Sequence, residues 1–145
     1  MADGGERIVV GVDGSPSSCQ ALRWAARQAK LTGASLEVVT SWELPTSYGW
    51  MPPYPSEFDP VGEAKRNLQA TVAEVLGDDP GIDVTITAVE GHPAPVLIDA
   101  ARGASLLVIG SRGHGALAGM FIGSVSNHCV SHAPCPVTVV RDAGE

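Results

Sequence analysis

Five short runs rich in β-branched residues, separated by stretches with helical spacing, constrain this chain more than any other feature. The runs are Arg7 to Val12, Ser35 to Trp42, Ile82 to Val89, Ser105 to Ile109 and Pro136 to Arg141. The first is followed by Asp13-Gly14-Ser15-Pro16, a turn, a cap and a first-turn proline. Cys19, Leu22, Ala25, Ala26 and Ala29 then form an apolar stripe in a helix that Lys30 and Gly33 close by about Ala34. Val61 to Leu76 repeats the helical period and stops at Gly77 and Pro80; Pro93 to Arg102 and Val125 to His132 read as two further helices. Strands joined by helical crossovers run parallel, and right-handed crossovers leave an open five-stranded sheet with helices on both faces. Ile82 to Val89 alternates apolar and polar residues, as a strand at a sheet edge does. A doubly wound order puts the first and fourth strands side by side at the switch point, where such sheets hold ligands beyond their carboxyl ends. With 145 residues and a hydrophobic fraction of 44%, residues 1–145 are expected to form one α/β domain.

The stretch Gly110 to Ser124 stands at that switch point. It follows the fourth apolar run and precedes the fourth helix, in the order strand, glycine-rich loop, helix start. Gly110, Gly113, Gly115, Gly119 and Gly123 remove side chains from a loop whose backbone N–H groups would then turn toward an anion. Gly123-Ser124 falls where a helix N-terminus has unpaired N–H groups, with the Ser124 hydroxyl available as a cap or as a phosphate donor. A Walker A loop would need a lysine after the second glycine, and Ser124 follows Gly123 directly. Gly113-His114-Gly115-Ala116-Leu117-Ala118 matches the dinucleotide fingerprint, but too little chain follows it for the βαβ unit the fingerprint needs. Asp13 is the acidic group at the end of the first strand, and its two readings are a turn or cap carboxylate and a ligand contact.

The spacing G-x2-G-x9-G-S, from Gly110 through Gly113 to Gly123-Ser124, resembles the nucleotide motif of the ATP-binding branch of the universal stress proteins. The resemblance extends to Val10 through Ser15, Gly91-His92-Pro93-Ala94 and His132 through Val137, and so covers nearly the whole chain. It implies a Rossmann-like fold of the universal stress protein and adenine nucleotide α-hydrolase type, with strand order 3-2-1-4-5. It also implies that ATP, with Mg²⁺, is the ligand. Gly11, Val12 and Asp13 would lie beside the adenosine, and the backbone of Ser41 would meet the adenine edge. Gly110, Ser111, Arg112, Gly113, Gly123, Ser124 and Val125 would surround the phosphates. The family further implies a stress-response or regulatory module and a homodimer formed through the last strand.

Composition narrows the partners. A net charge of −7 argues against a general nucleic-acid or anionic-membrane binder, and no apolar run approaches membrane-spanning length, so a cytoplasmic protein is expected. Cys19, Cys129 and Cys135 lack C-x-x-C spacing and are expected to be reduced, buried apolar side chains. A metal reading would group His128, Cys129, His132 and Cys135, although Cys129 points to a different helix face from His128 and His132. Residues 43–60 carry five prolines and four aromatic residues, and form a long loop inside the domain rather than a linker. Two alternatives to a binding module are a slow Mg²⁺-dependent ATP hydrolase and a nucleotide-free dimerisation scaffold. Phosphoryl transfer needs concentrated positive charge, and the only lysines, Lys30 and Lys65, sit in helices away from the motif. Arg112 and His114 remain near it, so weak turnover or none is expected.

Overall fold

The computed structural model describes residues 5–43, 59–112 and 123–141. Five strands and four helices alternate along them: β1 (Arg7–Gly11), α1 (Pro16–Thr32), β2 (Ser35–Trp42), α2 (Pro60–Leu76), β3 (Val84–Glu90), α3 (Pro93–Ala100), β4 (Leu106–Gly110), α4 (Ser124–His132) and β5 (Val137–Val140). All pairings are parallel and the sheet order is β3-β2-β1-β4-β5, as expected. Each helix is a crossover between parallel strands, so the sheet is covered on both faces. Glycine-rich residues 113–122 and the proline-rich residues 44–58 lie outside the described residues.

Strand side chains alternate between two cores. Ile8, Val10, Leu36, Val38 and Val108 face α1 and α2, where they meet Ala21, Leu22, Ala25, Ala29, Leu68 and Val72. Val9, Val39, Leu107 and Ile109 face α3 and α4, against Ala94, Val96, Leu97 and Cys129. Each fully buried leucine or valine of these clusters contributes about 1.5–3 kcal/mol of transfer free energy. The three fully buried alanines of α1, at spacing four, keep that helix close to the sheet. That close seat positions the amino end of α1 against β4.

Two boundaries differ from the sequence reading. Ile82 packs beside the first core rather than entering the ladder, and β3 runs instead from Val84 to Glu90. The third helix ends at Ala100 rather than Arg102. Arg7 reaches across from β1, donating through Nη1 to the Ala100 carbonyl (3.1 Å) and through Nη2 to the Arg102 carbonyl (2.8 Å). A guanidinium at a helix C-terminus satisfies carbonyls that have no partner within the helix. Arg7 also pairs with Glu37 at 2.7 Å, and Glu37 accepts from Thr87 Oγ1 at 3.0 Å, tying β1, β2 and β3 together on that face.

Candidate functional site

β1 and β4 are adjacent, with Ile8, Val9 and Val10 paired to Leu106, Leu107 and Val108. Their carboxyl ends therefore open into one crevice, and the helices that follow them, α1 and α4, both begin there. Val12 extends β1 by donating its N–H to the Val39 carbonyl at 2.9 Å. Asp13 then turns the chain: its Oδ1 accepts from the Ser15 N–H at 2.9 Å, and its own N–H donates to Ser18 Oγ at 3.2 Å. Ser15 is the cap of α1 and accepts from the Ser18 N–H at 3.2 Å. Asp13 thus serves in the turn, one of the two roles its sequence context allowed, while lying at the crevice.

Gly110 and Ser111 begin the loop after β4 and are fixed by the scaffold. A Cβ on Gly110 would lie 2.5 Å from Ser17 Oγ and 2.7–2.8 Å from the Ser17 backbone carbonyl atoms. The first glycine of the motif is therefore required by the seat of α1 against β4, a reason that spacing alone does not reveal. Gly11 is similar in kind: a Cβ there would meet Leu97 Cδ1 at 2.7 Å. Ser111 is 2% exposed, donates its N–H to the Val140 carbonyl (2.8 Å) and accepts from the Gly123 N–H (2.6 Å). The Arg112 N–H donates to Ser17 Oγ at 3.3 Å, and Ser126 Oγ donates to the Gly110 carbonyl. The two ends of the loop are thus pinned to each other and to α1. Ser17 and Ser126, both buried, are the side chains that do this, and no motif in the sequence singled them out.

α4 starts at Ser124 with Gly123 as its cap, in extended backbone at φ −76° and ψ 168°. The Ser124 hydroxyl is therefore not the helix cap, one of the two roles its position suggested. Gly123 has no side chain to accept from the first-turn amides, and that turn carries no acidic residue. The amino end of α4 consequently presents N–H donors and the positive end of the helix dipole to the crevice, an arrangement suited to an anion. Val125 packs on the α3 and α4 core, which orients this first turn. Ser41 lies in β2 opposite Val89, on the α3 side of the sheet, and Trp42 follows it opposite Glu90. Among the described residues the buried Trp42 indole N–H has no hydrogen-bond partner. Gly113 lies outside the described residues.

The thiols depart in part from the expectation that all three are buried: Cys129 is buried, whereas Cys19 and Cys135 are half-exposed, and all three are free. Burial pushes all three pKa values up, Cys129 to about 11. His128 and His132 stack with ring centroids 4.5 Å apart, and His132 Nδ1 lies 3.1 Å from the His128 carbonyl. Among the described residues no group of three or more His, Cys, Asp or Glu side chains is placed to hold a metal ion. Among them, too, no helix is long and apolar enough to cross a membrane.

A doubly wound parallel sheet in the order β3-β2-β1-β4-β5 puts the chain in the Rossmann-like α/β class, and comparison with known proteins narrows it. The universal stress protein family model matches residues 5–141, and the chain belongs to that family. A universal stress protein of Mycolicibacterium smegmatis is 36% identical over 141 residues, covering 92% of this chain and 47% of the relative. The chain spans about half the length of the curated relatives it matches. A universal stress protein of Archaeoglobus fulgidus solved in complex with dAMP superposes with a TM-score of 0.66 at 26% identity, over 93% of this chain and 97% of its own. Another, solved in complex with cAMP, gives a TM-score of 0.66 at 26% identity over 95% and 98% of the two chains.

Proposed function

We propose that residues 1–145 act as one adenine-nucleotide-binding module whose ligand is ATP and whose occupancy is the regulatory signal. One observation carries this reading: the Asp13 turn follows β1 and the amino end of α4 is tied to Ser111 just after β4, so both lie at the carboxyl ends of the two adjacent strands. The dAMP and cAMP complexes of two similar folds support adenine nucleotides as the ligand class. Gly11, Val12, Asp13 and the Ser41 backbone would take the adenosine. Gly110, Ser111, Arg112, Gly113, Gly123, Ser124 and Val125 would take the phosphates, with Ser124 as a hydroxyl donor and Arg112 as the cation.

The donor set at the start of α4 fits a phosphate. Mg²⁺ would arrive with the nucleotide, because a magnesium ion commonly uses one or two carboxylates plus phosphate oxygens and water, and Asp13 is the carboxylate at hand. Lys30 lies in the last turn of α1, roughly 20 Å along that helix from its amino end, and Lys65 is on α2. The module therefore binds nucleotide and turns it over slowly or not at all. A cytoplasmic site of action and homodimers through β5, whose four residues are all half-exposed, complete the proposal.

Calorimetric titration of nucleotide-free protein with ATP and Mg²⁺ tests it, beside Gly113→Val. Binding near micromolar, on the order of −8 kcal/mol, lost in the variant, is the expected result. Titrations with AMP and cAMP set the preference among adenine nucleotides, and phosphate release over time reports hydrolysis. No heat with any of the three sinks the nucleotide reading and leaves a dimerisation scaffold.

A further inference from the structure

We propose that β3, the edge opposite β5, is a self-association edge at which a second copy of this chain pairs antiparallel, continuing the sheet from one molecule into the next. The lateral direction of its backbone groups follows from two hydrogen bonds. Leu36 N–H donates to the Asp83 carbonyl at 2.8 Å, and Gly91 N–H donates to the Trp42 carbonyl at 2.9 Å. Residues 83 and 91 thus face β2, and along a strand this direction alternates with each residue. Thr85, Thr87 and Val89 therefore bond to β2, while Val84, Ile86, Ala88 and Glu90 turn their N–H and C=O groups away from the sheet.

Those four outward residues are complementary to themselves. In an antiparallel pair centred on Thr87, Val84 of one copy faces Glu90 of the other and Ile86 faces Ala88. All four outward residues then fall in hydrogen-bonded positions, making about eight backbone bonds at two per pair. The non-hydrogen-bonded positions bring Thr85 opposite Val89 and Thr87 opposite its own copy on the two-fold axis. No like charges face each other in this register, and every pair contains at least one β-branched residue, which favours cross-strand contact.

Among the described residues the strand itself carries few of the usual protections. Val84 to Glu90 contains no Lys, Arg or Pro, the residues that commonly discourage edge pairing, and Val89 is 37% exposed. On the α3 side the strand borders an open groove lined by Thr87, Val89, Pro95 and Ile98, which leaves room beside it. β5 is a shorter edge by the same reasoning. The Pro136 carbonyl just before it accepts from Leu107 and the Val140 carbonyl accepts from Ser111, so only Val137 and Val139 turn outward within the strand.

The register makes the test specific. Thr87→Cys places two thiols opposite each other on the axis, at a non-hydrogen-bonded position where Cα atoms approach to about 4.5 Å, within disulfide reach. Oxidation of this variant is expected to give a disulfide-linked dimer, whereas Thr85→Cys, which faces Val89, is expected to stay at the wild-type background set by the native cysteines. In the unmodified protein, amide exchange at Val84, Ile86, Ala88 and Glu90 should slow as concentration rises. Ala88→Pro, whose lost N–H points outward, should weaken association about tenfold or more without disturbing the β2 ladder. Equal cross-linking of the two cysteine variants overturns the proposal. So does concentration-independent exchange at those four amides up to millimolar protein, whether or not β5 pairs and whether or not nucleotide binds.

Discussion

Position 110 takes glycine because the first turn of α1 already occupies the space a side chain would need. The obstruction is Ser17 backbone as well as its hydroxyl, and backbone cannot rotate away. Gly110→Ala is accordingly expected to cost about 1–3 kcal/mol of unfolding free energy in urea titrations, the range for forced overpacking. Gly11→Ala should cost less, because it meets the end of Leu97, a side chain with other rotamers. A Gly110→Ala protein of wild-type stability that had lost only its nucleotide would show instead that the glycine serves the ligand. Cys129 gives a second prediction at this scale. It is fully buried, and desolvation raises its thiol pKa to about 11 from 9.0. The unfolded chain therefore ionises first, binds fewer protons between these values, and gains on the folded state as pH rises. Stability should fall across pH 9 to 11 by on the order of 3 kcal/mol, and Cys129→Ala should flatten that part of the curve in pH-dependent denaturation.

Among the elements, α4 in the proposed module sets stability against ligand at its first turn. Asp, Asn or Ser at the cap position would satisfy a first-turn amide, and the extended backbone of Gly123 admits any of them. Gly123→Asp is expected to stabilise the protein by roughly a few tenths of a kcal/mol, seen as a small rise in thermal midpoint. The same carboxylate would occupy the amide donors and repel phosphate, so calorimetric binding of ATP should disappear. α1 shows the opposite arrangement: Ser15 caps it, Asp13 braces the turn before it, and its amino end is spent on the scaffold. The helix period, the prolines and Gly33 made both elements legible in the sequence. Their different caps were not, because the sequence left Ser124 open as either a cap or a phosphate donor, and only the structure shows the helix starting on it with Gly123 before it.

For the molecule as a whole, a ligand that binds only the folded state raises its stability by mass action. ATP at about a hundred times its dissociation constant should add about 2.7 kcal/mol, raising the thermal midpoint of the wild type, while Gly123→Asp should not respond. The parallel sheet with helices on both faces was readable from alternation of strand-like and helical runs, and the 3-2-1-4-5 order follows the expectation from the family resemblance. The two cores differ in what crosses them. The α1 and α2 side holds a cluster of aliphatic side chains, whereas the α3 side also carries the Arg7, Glu37 and Thr87 network that closes the end of α3. That network joins residues 80 positions apart in sequence, and nothing local announces it.

The sequence by itself determined the elements, their parallel arrangement and the place of the crevice. Hydrophobic period, caps and turn residues act over a few positions and can be read there, and crossover handedness then leaves one family of topologies. It also placed Asp13 and the stretch Gly110 to Ser124 at the ends of neighbouring strands. Only the tertiary structure decided what each of these groups does. Gly110 is shaped by α1, Ser17 holds the Arg112 N–H across 95 positions of sequence and Ser126 holds the Gly110 carbonyl across 16, and Arg7 terminates a helix that begins far along the chain. The outward face of β3 belongs to the same class. Whether a backbone group points into the sheet or away from it depends on which neighbour its strand acquires, and that is settled only when the chain has folded.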